Sequence, residues 1–319
     1  MESIGNIGLY GIFFALVAVL LLIDIVAFNK SGQAKVSTKQ AAIWSGVWVA
    51  VALLFGAGLW MYLKNKVGLE LANERALEFF TGYLIEKSLA IDNVFVWLMI
   101  FSAFAIPANM QRKVLLYGVL GAIIMRTIMI FAGAWLIQEF HWILYVFGAF
   151  LVFTGIKMWR NHGEEVDSED GWLLRWLRKH LRITEGLEGE KFWVRRDGVL
   201  FFTPLMIVLI LVEFSDLIFA VDSIPAIFAV TTDPFIVLTA NLLAILGLRA
   251  MFFLIADLAN RMSLLPYALA IILVFIGIKM LLLEVYKIPI AFSLGFVVVT
   301  LLTAGIMSWR IDKKAIKTA

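Results

Sequence analysis

The chain has 319 residues, 62% of them hydrophobic and 16% charged, with a formal net charge of +3 and no cysteine. A soluble domain of this length carries about 25% charge, so the shortfall excludes a water-soluble fold and makes lipid the solvent for most of the surface. The lack of thiols excludes disulfides, thiolate metal sites and a cysteine nucleophile, while the scatter of Lys and Arg between apolar runs speaks against a nucleic-acid partner.

Apolar runs near 7–28, 41–63, 76–104, 114–137, 140–159, 199–230, 235–257, 263–283 and 288–309 predict an all-α fold, a polytopic bundle of nine transmembrane helices. The residues before the first run lack the basic stretch of a secretory signal, so that run reads as a retained helix. With the N-terminus outside, nineteen basic residues fall on the cytoplasmic side and five (Lys64, Lys66, Arg75, Lys279 and Lys287) on the outer side. That bias predicts N-out, C-in in the plasma (inner) membrane. The expected organisation is two helices in 1–75, a three-helix unit in 76–159, a cytosolic loop in 160–198, a second three-helix unit in 199–283, and a last helix with a basic tail in 284–319.

The loop balances its basic residues with acids. Within it Trp172, Leu173, Trp176, Leu177 and Leu181 share a helical face opposite Arg175, Arg178, Lys179 and Arg182, as expected of a helix lying on the anionic inner leaflet; a docking role is the competing reading. His162 and His180 fall in this loop and His141 at a helix start, so a histidine metal site is not expected.

The most informative feature is internal repetition. Glu86-Lys-Ser-Leu-Ala-Ile-Asp92-Asn93 aligns without gaps to Asp216-Leu-Ile-Phe-Ala-Val-Asp222-Ser223, and Leu151-Val-Phe-Thr-Gly-Ile-Lys157-Met158 aligns to Leu273-Val-Phe-Ile-Gly-Ile-Lys279-Met280. Between them lie Arg126 in one copy and Arg249 in the other. Each copy has three helices, an odd number, so the second must enter the membrane from the opposite side: a 3+3 inverted repeat, the usual frame of alternating-access transporters.

Six acids, Asp24, Glu86, Asp92, Glu213, Asp216 and Asp222, sit in the predicted spans against Lys87, Arg126 and Arg249. Each costs roughly 2.5–3.5 kcal/mol at a span centre, so they should face the interior and pair there. The surplus of negative charge would be offset by a divalent cation together with a proton on one carboxylate. Glu86 and Asn93, seven apart, share a helix face, as do Asp216 and Ser223, and Glu213 lies one turn before Asp216. Glu86 and Asp92 are about 240° apart on an ideal helix, and Pro225 favours a break after Asp222 that would free carbonyls for a cation. The expected metal ligands are therefore Glu86, Asp92, Asn93, Glu213, Asp216, Asp222 and Ser223, with Asp24, Lys87, Arg126 and Arg249 as supporting charges. Oxygen ligands suit Mg²⁺, Ca²⁺ or Mn²⁺; a thioether from Met99, Met125 or Met129 would favour Mn²⁺, although methionine in a bundle is more often packing. No Gly-x-Gly-Asp context and no core histidine is present for intramembrane proteolysis, so no enzyme and no catalytic residue is expected. Six buried acids would also hold a divalent ion too tightly for a passive pore.

GYLIEKSLAIDNVFVW, YGVLGAIIMRTIMIF, LVEFSDLIFAVDSIPAIFAVTTDPFIV and LGLRAMFFL resemble the motifs of the TerC family of integral membrane proteins, nearest its alkaline-induced, Alx-like branch within the lysine-exporter-type superfamily. The resemblance runs from Asp24 nearly to the end of the chain. It implies export of manganese as transported substrate, with no cofactor, and historical links to tellurium resistance. Alternatives are a metal-delivery or assembly partner of secreted proteins at the translocon, and a Ca²⁺ transporter; a homo-oligomer or contact with the secretion machinery is a further expectation.

Overall fold

The computed structural model describes residues 3–29, 37–140, 142–160, 172–258, 264–282, 285–286 and 288–318. Among the side chains outside that description are those of Asp92 and Asp222, whose backbones it places, while His141 and His162 lie outside it altogether. The described chain forms α1 (Ile7–Asn29), α2 (Thr38–Val67), α3 (Leu69–Ala103), α4 (Ala108–Glu139), α5 (Ile143–Arg160), α6 (Trp172–His180), β1 (Trp193–Arg196), β2 (Val199–Phe202), α7 (Pro204–Phe228), α8 (Pro234–Leu246), α9 (Leu248–Leu258), α10 (Leu265–Leu281) and α11 (Ile290–Thr318). It is a helical membrane bundle carrying one small hairpin. Among the described residues five helices, α1, α2, α4, α5 and α7, are long and apolar enough to cross a bilayer, and the α8–α9 pair makes a sixth if counted as one broken span.

Local chemistry sets the boundaries. Ser37 caps α2 by accepting from the Gln40 N–H at 3.2 Å, and Gly68, with φ of +95°, turns the chain directly from α2 into α3. Pro204 and Pro234 occupy the first turns of α7 and α8, where no backbone N–H is needed. Asp233 caps α8 through the Phe235 N–H at 2.9 Å, and its two oxygens also take the Ser3 hydroxyl at 2.8 Å and the Ile4 N–H at 2.7 Å. The N-terminal segment is thereby tied to the α7–α8 turn. This end of the bundle, where α3 begins, is the Arg75 end, and the opposite one is the hairpin end.

Helix α8 is the axis. Every residue from Phe235 to Leu246 is buried, which a helix apolar all round achieves only when surrounded by protein. It packs against α1, α2, α3, α4 and α7. On the other side α5 and α10 form the closest helix pair, through glycines. A Cβ on Gly277 would lie 2.6 Å from the Gly148 carbonyl and 2.8 Å from Val152, and one on Gly155 would lie 2.8 Å from the Ala270 carbonyl and 2.7 Å from Val274. Those neighbours include backbone atoms, which cannot move aside. Gly277→Ala should therefore force α5 and α10 apart and cost about 1–3 kcal/mol, the range for overpacking, visible as a lower melting temperature in detergent.

Three expectations are corrected. The sixth span does not begin at 199: Val199–Phe202 pairs with Trp193–Arg196 as an antiparallel hairpin, and the helix starts at Pro204. Asp197 and Gly198, at φ of +50° and +78°, supply the two left-handed residues of its tight turn. The 235–257 run is not one straight helix but bends by 43° between α8 and α9, whereas α7 stays helical through Pro225. Helix α6 buries Leu174 and Leu177 against Ile207 of α7 and leaves Trp176 exposed. The side chains of Trp172 and Leu173 lie outside the described residues.

Candidate functional site: an arginine among acids at the bundle centre

Glu86 and Asp216 each fall at the middle of their helices, α3 and α7, and Arg126 lies just past the middle of α4. Mid-helix is the depth where lipid penalises charge most, and all three are buried to 1% exposure or less. They meet. The Arg126 guanidinium donates to Asp216 twice, from Nη2 to Oδ1 at 3.0 Å and from Nε to Oδ2 at 3.2 Å, a fork-to-fork pairing that also fixes the plane of the guanidinium. Its Nη1 forms an ion pair with Glu86 and reaches the Ser223 hydroxyl at 3.2 Å. Asn93 completes the cluster by donating from Nδ2 to Asp216 Oδ1 at 3.0 Å.

Of the seven residues expected as ligands, four therefore converge on one point: Glu86, Asn93, Asp216 and Ser223. Glu213 stands one turn away toward the hairpin end. It is half-buried against Gly121 of α4, where a Cβ would have no room beside its carboxylate, and its Oε2 has no hydrogen-bond partner among the described residues. The side chains of Asp92 and Asp222 lie outside the described residues, although both helices that carry them pass through the centre. Among the described residues no three acidic or histidine side chains gather into a group that could hold a metal. Arg126 stands between Glu86 and Asp216 and pairs with both.

The supporting charges separate. Arg249 pairs with Asp24 of α1 at 2.6 Å, both 1% exposed, apart from the central cluster. Lys87 faces neither group; its ammonium donates to the Ala244 carbonyl at 3.0 Å, beside Gly247 at the α8–α9 bend. Met99 is 36% exposed and Met129 packs in the apolar core, so the two hold places of lipid contact and packing, while Met125 is half-buried. His180 is exposed and stacks on Trp176.

The model of the integral membrane protein TerC family matches residues 71–315. The chain belongs to the TerC family. It is 59% identical over 318 residues to a protein of Escherichia coli (strain K12) described as a proposed membrane-bound redox modulator, Alx, covering 98% of this chain and 99% of that one. A protein of the same description in Salmonella typhi is 58% identical over 318 residues, with the same coverage, and an uncharacterized membrane protein of Myxococcus xanthus is 44% identical over 317 residues, covering 99% and 96%. No solved structure matches the chain.

Several polar groups in the TerC fold escaped the reading of the sequence. Glu78 is buried at the Arg75 end, bound by Arg75 at 2.7 and 3.0 Å and by the Thr231 hydroxyl at 2.8 Å. Its place within the third apolar run was the available signal. Asn241 in α8 and Tyr83 in α3 are buried, and neither the amide of the first nor the hydroxyl of the second has a hydrogen-bond partner among the described residues. A lone Asn inside an apolar run is a sequence signal, whereas a Tyr is not. Two clefts, of about 430 and 640 Å³, are apolar and lie by Trp159 between α5, α10 and α11, away from these charges.

Proposed function

We propose that this TerC-family protein is a secondary transporter that carries a divalent cation, manganese as the expected substrate, out of the cytosol by alternating access between two inverted three-helix units. The observation that carries the reading is the central cluster, in which two carboxylates and a hydroxyl from α3 and α7 hold a single cationic group midway along the helices, with the Asn93 amide bonded to Asp216 beside it. Oxygen donors of this kind suit a hard divalent ion. With Arg126 withdrawn, Glu86 and Asp216 present two negative charges to an ion of charge +2, and Asp92, Asp222 and Glu213 are the further acids assigned to its path.

Support for the inverted repeat comes from packing. In the alignment of the two copies Gly155 corresponds to Gly277, Ala270 to Gly148, and Val274 to Val152. The contacts of Gly155 with Ala270 and Val274 then become those of Gly277 with Gly148 and Val152, as a two-fold axis in the membrane plane requires. The packing of α3 on α8 and of α7 on α4 is exchanged by the same axis. Nine crossings with the N-terminus outside put the hairpin end in the cytosol.

The relatives' description as redox modulators has no thiol to act through here, since the chain has no cysteine, and a redox effect would follow from the metal that is moved. Purified protein in liposomes tests the proposal. Manganese flux without any added protein is the expected result, with Ca²⁺, Mg²⁺ and Zn²⁺ as competitors to rank selectivity. Flux only in the presence of secretion machinery would favour the metal-delivery reading, and preference for Ca²⁺ would replace the substrate.

A further inference from the structure

We propose that Arg126 and Arg249 are exchangeable internal cations that take turns on the Glu86–Asp216 pair, Arg126 closing it from the Arg75 end and Arg249 from the hairpin end, with Asp24 holding Arg249 in between. The proposal deepens the transport reading and rests on its inverted repeat.

The two arginines occupy equivalent positions but hold different partners among the described residues. Arg126 holds Asp216, Glu86 and Ser223, whereas Arg249 holds Asp24 of α1, which lies outside both repeats. Exchanging the copies turns Glu86 into Asp216, Asn93 into Ser223 and Arg126 into Arg249. The contacts of Arg126 then become an Arg249 bound to Glu86, Asp216 and Asn93. The acid pair is its own image and can serve either arginine, but not both beside a metal ion.

Position along the membrane gives each arginine its side. Arg126 lies past the midpoint of α4 toward Glu139, in the half of the helix where Gly133 meets Phe228 near the Arg75 end. Arg249 lies past the midpoint of the α8–α9 pair toward the hairpin end. Glu213 flanks the acid pair on the hairpin side. Its repeat equivalent is Tyr83, one turn from Glu86 on the Arg75 side. Tyr83 and Asn241, both buried with unmet hydrogen-bonding capacity, belong to helices that touch at Gly82 and Ala240. Buried polar groups are nearly always satisfied, so these two mark a route that gains partners when that side opens. In the conformation seen, Arg126 closes it.

A hinge for Arg249 exists at its own helix. The 43° bend at Gly247 sits two residues before Arg249, and the Lys87 ammonium replaces a backbone donor at Ala244 there. The equivalent point of α4, Ile124, lies inside a continuous helix. Helix α9 can thus re-aim Arg249 while α8 remains embedded, and an Arg126 released toward the open side is solvated there.

The chain has no cysteine, so single-cysteine labelling reads accessibility directly. The reporter is Asn241→Cys, treated from the outside with a membrane-impermeant maleimide, in metal-free buffer. Asp24→Asn removes the ion pair that holds Arg249 on α1 and should speed labelling at least tenfold; adding Arg249→Gln to that variant should return it to the starting rate. Labelling within twofold of the parent in Asp24→Asn, or a rate that stays fast in the double variant, overturns the exchange. Ala226→Cys, buried in the α7 core, reports unfolding, and if it too labels in Asp24→Asn, the ratio of the two rates decides: Asn241→Cys labelling at least tenfold faster relative to Ala226→Cys than in the parent supports the exchange, and a smaller change in that ratio overturns it. Because labelling needs no manganese, a negative result leaves the transport reading intact, while exchange without manganese flux removes transport alone.

Discussion

Arg126→Gln is expected to destabilise the protein severely in metal-free detergent and to be rescued by manganese. Arg126 is buried together with Glu86 and Asp216, and its guanidinium is the one cation among the described residues that touches either. Removing one partner of a buried ionic cluster costs about 3–5 kcal/mol, because the charges left behind are neither solvated nor paired. Neutralising an acid as well, in Arg126→Gln with Asp216→Asn, should recover much of that loss. Manganese should then raise the melting temperature of Arg126→Gln by more than that of the parent, since the competing cation has gone; a hundredfold excess over Kd gives about 2.7 kcal/mol. Equal stabilisation of both proteins by manganese would show that the ion and Arg126 do not share a site.

Glu86→Gln and Asp216→Asn should each reduce manganese flux into liposomes by at least two orders of magnitude, on the order of what loss of support around a metal costs or more. The two variants differ in what they leave for Arg126. Glu86→Gln keeps the doubly bonded Asp216 pairing and should fold nearly as well as the parent, whereas Asp216→Asn removes it and should also lower the melting temperature. Flux and stability measured on the same preparations separate the two effects. Met99→Leu is the contrasting variant: its side chain is 36% exposed on the bundle surface, so flux should be unchanged. Wild-type flux in Glu86→Gln would remove that residue from the transport path.

What could be read in advance follows from the cost of charge in lipid. Acids and arginines repeated in order inside apolar runs have few places to go, so Glu86, Asp216 and Arg126 pointed to a shared interior site before any coordinates. The break in a span was less accessible. Pro225 removes one donor, yet α7 passes through it, while the bend falls at Gly247 because Lys87, from a helix distant in sequence, supplies a donor to Ala244. The hairpin was legible in its Asp197-Gly198 turn, but the apolar strand Val199–Phe202 reads equally as the start of a span.

By itself, then, the sequence determined a helical membrane protein, its internal repetition and the residues that lipid forces inward, because those depend on composition and spacing along one chain. Only the tertiary structure decided which arginine holds the acid pair. Arg126 and Arg249 occupy matching places in the two sequence copies, yet the structure puts Arg126 on Glu86 and Asp216 and puts Arg249 on Asp24, 225 residues away in sequence. Partner choice among buried charges depends on distance in space, which no spacing in the chain encodes.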